Sequence, residues 1–160
     1  MPEFVNGLPL HALIVHAVVV LVPLSVLGAI LIAVWPAARR RFGWSVAVLA
    51  GVGAALTPIA TGSGRDLSRR LPDNELIRRH EELGDQLIYF VLPLFVAVLA
   101  LMIVHTAIAR GWSPGWRNVA LIAAAVVVVG FAGASGVQVF RVGEAGSRAV
   151  WGGFENLPER

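Results

Sequence analysis

Four long apolar stretches constrain this chain more than any other feature. They run from about Leu10 to Trp35, Trp44 to Gly62, Leu87 to Ala109 and Val119 to Val142. Each is long enough for a helix to cross a hydrocarbon core about 30 Å thick. None alternates with period two, so the strands of a membrane barrel are not expected. Inside lipid the backbone must satisfy its own polar groups, which leaves helices. The expected fold is all-α: an integral membrane four-helix bundle of up-down topology. Helices are expected over 10–35, 44–62, 76–109 and 119–142, forming one membrane domain across 1–160 with an outer-face tail over 143–160. Four crossings place both termini on the same side.

Composition agrees. Hydrophobic residues make up 57% of the 160 residues and charged ones 14%, against about 25% charged in an average soluble domain. With no cysteine, a disulfide framework, a thiolate zinc site, an iron–sulfur cluster and covalent c-type haem are excluded. All 13 basic residues are arginine. They gather at the ends of the apolar stretches, as membrane topology requires, so a nucleic-acid partner is not expected. The N-terminus has no positive region ahead of its apolar run and no small-residue cleavage site after it. The first helix is therefore expected to remain in the mature protein.

Orientation rests on arginine. Arg39, Arg40 and Arg41 follow the first helix, and Arg110 and Arg117 follow the third, with no acid in either connection. The other eight arginines share the opposite face with all ten acids. Compact basic loops mark the cytoplasmic side, which puts the termini outside and the chain in the inner (plasma) membrane. Trp35, Trp44, Trp112 and Trp116 flank the same two connections, as an interfacial aromatic belt does. The substantial polar segment, 63–79, lies on the outer side, where Pro72-Asp73 suggests a turn and Asp73 or Asn74 a helix cap. No internal repeat is evident.

Small residues are dense in the second helix (Gly51, Gly53, Ala54, Ala55) and the fourth (Gly130, Gly133, Ser135, Gly136). They suit close helix packing, and equally suit clearance for a flat cofactor. Pro23, Pro58 and Pro93 each remove a helix donor and suggest kinks.

Histidines carry the functional signal, because an imidazole within a lipid-spanning segment is costly and by default functional. His11 and His16 are about 140° apart around one helix, too far to hold one metal together. His80 opens the third helix, with Gly84 one turn on along the same face. His105 is about 37 Å further along and belongs near the other surface. His11, His16 and His80 thus gather in the outer half, on the first and third helices. A b-type haem with two axial imidazoles from facing helices is the leading reading, with His16 and His80 the favoured pair and His11 the alternate. Arg65 and Arg141, at the outer ends of the second and fourth helices, are candidate partners for haem propionates. Such a protein would pass electrons, with a quinone or a redox protein as partner.

Two other readings stand beside it. One is a non-redox metal site at the outer face, drawing on His11, His16, His80, Glu81 or Glu144. The other is a structural or accessory subunit whose small-residue faces pack on a second copy or within a larger complex in the bilayer. No serine or threonine belongs to a nucleophile motif, so hydrolytic chemistry is not expected.

The run Leu8-Pro9-Leu10-His11-Ala12-Leu13-Ile14-Val15-His16-Ala17-Val18 resembles the His-Pro-x-x-Val-His-Phe-Pro opening of a family of small bacterial membrane proteins, domain-of-unknown-function family 2231. Thr61-Gly62, His80-x-x-x-Gly84 and Gly143-Glu144-Ala145-Gly146-Ser147-Arg148-Ala149-Val150-Trp151 are similar to it as well, so the likeness covers about residues 7–153. Ala12 and Ala17 replace the family's proline and phenylalanine, and Glu144 stands where many members have histidine. The resemblance implies the four-helix membrane fold and singles out the same histidines. Haem or metal binding follows from it only by analogy with other four-helix cytochromes.

Overall fold

In the computed structural model, which describes residues 4, 5, 7–112 and 114–152, four helices account for nearly the whole chain. They are α1 (Leu10–Val34), α2 (Pro36–Ser68), α3 (Glu75–Ala109) and α4 (Arg117–Trp151). A two-residue antiparallel ladder, β1 (Phe4–Val5) with β2 (Leu8–Pro9), leads into α1. All four helices are long and apolar enough to cross a membrane. The bundle is cyclic: α1 packs on α2, α2 on α3, α3 on α4 and α4 back on α1, while α1 and α3 face each other across the diagonal and scarcely touch.

The expected all-α bundle is present, but two helices outrun their apolar stretches. The expected basic loop 36–43 is helical: Trp35 alone, in an extended conformation, separates α1 from α2, and Pro36 opens α2. Proline suits a first helical position because its missing N–H has no intrahelical partner there in any case. At the other end α4 runs past Val142 to Trp151, so the first part of the expected tail is helix. Its residues 142, 146 and 149 fall on one face directed into the bundle, which gives this less apolar turn something to pack against. The segment 153–160 lies outside the described residues. In the outer connection, Asn74 caps α3, its Oδ1 accepting from Leu76 N at 2.8 Å.

Two apolar layers fill the bundle. One, near the α1–α2 turn, joins Ile32, Leu94, Val98, Leu101, Met102 and Val128. The other joins Val18, Val22, Ala54, Leu87 and Val91 toward the histidine end. Gly43 leaves room for the end of the Met102 side chain, which a Cβ there would displace. Outside, large apolar side chains such as Leu27, Val48, Tyr89, Val126 and Phe140 are exposed on every helix, a surface suited to lipid.

Arg39 is the charged residue buried in this frame, only 7% exposed. Its Nε donates to Ile32 O at 2.7 Å and its Nη2 to Ala33 O. These carbonyls lie in the last turn of α1, where the helix has run out of its own donors. The guanidinium therefore fastens the tight turn at Trp35. Arg39→Met should lower stability by about 2 kcal/mol, the scale of losing hydrogen bonds from a charged donor. Thermal unfolding of the detergent-solubilised protein would read this, with Arg40→Met, an exposed neighbour, close to unchanged.

Candidate functional site

At the end of the bundle opposite the Trp35 turn, the helices enclose a partly open cavity of about 490 Å³. Its wall is largely apolar and draws on all four helices, with His11, His16, Thr57, His80, Gly84 and Gly146 among its residues. The size lies within the usual range for small-molecule and cofactor sites, about 300–1,000 Å³.

His11 and His80 face each other in this cavity. Their ring centres are 6.3 Å apart and their planes meet at 75°. Each ring is held by the helix that follows its own. His11 Nδ1 donates to Ala60 O of α2 at 3.0 Å, and His80 Nδ1 donates to Val142 O of α4 at 3.1 Å. A carbonyl can only accept, so the proton sits on Nδ1 of both rings. In the neutral rings Nε2 then carries the free lone pair, which is the arrangement that prepares an imidazole to bind a metal.

Glycine makes both contacts possible. A Cβ at Gly64 would lie 3.0 Å from His11 Cε1 and 3.1 Å from Nδ1. A Cβ at Gly146 would lie 3.0 Å from His80 Cε1 and 3.1 Å from Nδ1. Gly84, expected beneath His80, has another place: its Cβ would meet only Thr61 Cγ2, at 3.9 Å. The glycine under His80 comes from α4.

The two halves of the site therefore hold their imidazoles in the same way. In each, an imidazole from the first helix of a hairpin reaches a carbonyl of the second and rests on the glycine one turn further along. The match extends along the wall. Val15 and His16 of α1 stand where Gly84 and Asp85 stand on α3, and Thr61 and Gly64 of α2 where Gly143 and Gly146 stand on α4. The site thus repeats one arrangement in its two hairpins, which sequence reading did not detect because most matched positions carry different residues.

The other expected residues are placed as follows. His16 is exposed at the cavity edge, and its Nδ1 bonds Ala12 O of its own helix. It is not brought onto His80; the five-residue step from His11 turns it outward. His105 is in the far half of α3. Arg65 forms an ion pair with Asp85, 3.6 Å between Nη2 and Oδ1. Arg141 is exposed on α4. Glu144 accepts from Arg148 at 2.7 Å, along the outer surface of α4, and Glu81 lines the cavity. Among the described residues no three of the His, Asp and Glu side chains come together as a metal-binding group.

Sequence reasoning missed the two carbonyls and Gly64. A backbone oxygen leaves no mark in a sequence. Gly64 fell in the polar segment expected to be the outer loop, whereas α2 continues through it to Ser68.

The Nδ1–H arrangement is measurable. In ¹⁵N-labelled protein, the signals of His11 and His80 should report protonated, hydrogen-bonded Nδ1 atoms. Gly64→Val should remove that signature from His11 alone, and Gly146→Val from His80 alone. Each should also cost about 1–3 kcal/mol of stability through overpacking.

No curated protein and no solved structure matches this chain. A family model described as "Predicted membrane protein (DUF2231)" matches residues 7–153, which contains all four helices and both facing histidines, and the chain belongs to that family.

Proposed function

We infer that the chain is a b-type haem protein of the inner (plasma) membrane, holding the haem between His11 and His80 and serving electron transfer. The observation that carries this reading is the facing pair of imidazoles, each tied through Nδ1 to a carbonyl, 6.3 Å apart in one apolar cavity. Two imidazoles bound to opposite sides of one metal, with bonds of about 2.0 Å, have ring centres on the order of 6 Å apart. A direct hydrogen bond between the rings would draw them closer, and none joins them among the described residues.

The repeat favours a ligand of the same symmetry. A cavity with equivalent halves suits a flat, metal-centred molecule that presents the same face to both. Iron held by two imidazoles has no open position, which suits electron transfer rather than oxygen chemistry. His16, the favoured ligand on sequence grounds, gives way to His11, because its ring lies at the edge of the cavity. Arg65 and Arg141, among the arginines at this end of the bundle, are the candidate partners of the propionates. The purely basic turns at the other end favour an extracytoplasmic position for the haem.

Reduced-minus-oxidised spectra of protein purified after expression with ample haem supply test the reading. A Soret band and sharp reduced α and β bands are expected. Both should be lost in His11→Leu and His80→Leu and kept in His16→Leu. No Soret band in the unaltered protein, or one that survives the double His11→Leu/His80→Leu change, would overturn it.

A further inference from the structure

The two halves of the cavity differ at their outer edges. On the α2–α3 side, Arg65, the residue after Gly64, pairs with Asp85 at 3.6 Å. At the equivalent stations on the α1–α4 side, Ser147 follows Gly146 and His16 stands in the place of Asp85. One seam is therefore closed by an ion pair, and its counterpart carries a serine and an imidazole.

That second seam lies between α1 and α4. Gly136 of α4 packs against Val26 of α1, a Cβ there lying 3.5 Å from Val26 Cγ1. Ser147 is three turns further along the same face of α4, and Val15 and Val19 of α1 are in line with Val26. Val15, Val19 and Ser147 all line the cavity, and exposed His16 forms its lip. His16 lies six residues into α1, about 9 Å below the helix start. A phospholipid headgroup stays at the interface, whereas a small polar ring on an isoprenoid tail reaches this depth. His16 Nδ1 is already bonded to Ala12 O, so Nε2 is the atom left to meet an incoming carbonyl or hydroxyl.

We propose that the α1–α4 seam is a lateral portal in which His16 Nε2 and the Ser147 hydroxyl bind the headgroup of a membrane-dissolved quinone or quinol. The purpose of such a site rests on the haem reading of the neighbouring cavity; its binding geometry does not. His16 is here a binding residue, separate from the His11–His80 pair.

The full chain in phospholipid nanodiscs free of quinone is the material for the test, and an azido-substituted benzoquinone carrying one isoprene unit is the probe. Photolabelling followed by peptide mapping should place the label on 12–19 of α1 and 139–150 of α4. His16→Leu should weaken binding about ten-fold, the scale of one lost hydrogen bond. Asp85→Asn, at the matching station, should leave binding unchanged. Label confined to other surfaces, equal binding by His16→Leu, or displacement of the probe by added phospholipid alone would overturn the proposal. Absorption spectra of the same samples separate the two readings. A Soret band without quinone binding removes the portal alone, and quinone binding without a Soret band removes the haem alone.

Discussion

Every helix carbonyl has a second lone pair, and this chain builds its interior on that spare capacity. In hydrocarbon the first lone pair is taken by the helix's own N–H, and no water competes for the other. Ser25 bonds Leu21 O and Thr57 bonds Gly53 O within their helices. Gln138 reaches Leu83 O across to α3, and the two cavity histidines reach Ala60 O and Val142 O, while Arg39 takes carbonyls that the last turn of α1 leaves without a helical donor. Polar side chains can thus be buried without polar side-chain partners. Among the described residues Ser135 Oγ is the exception, buried with no bond.

This rule also fixes the orientation of the imidazoles. A carboxylate or a second histidine could move or titrate with its ring, whereas a helix carbonyl does neither. Gly64 and Gly146 add a steric floor under each ring. Position, tilt and tautomer are all set before any ligand is considered, which is the preorganisation that a binding site needs.

The fold was legible because lipid leaves few alternatives: apolar length alone located four helices. The ends of α2 and α4 were less so, since hydropathy marks where lipid begins, not where the helix stops. Pro36 could have signalled the early start of α2. For the site, the choice of α1 and α3 and the exclusion of His105 followed from spacing. The partner of His80 did not, because depth in an ideal straight helix does not say which ring faces inward. The repeat was hidden for a related reason. Its common elements are an imidazole, a backbone oxygen and the absence of a Cβ, and only His11, His80, Gly64 and Gly146 appear as letters.

The near-lack of contact between α1 and α3 carries a consequence for assembly. Each hairpin supplies one ring of the facing pair, already positioned by its own second helix. The facing rings are therefore a gauge of how the two hairpins close on each other, and anything that bridges them would act as a clasp along a diagonal that helix packing leaves unfastened.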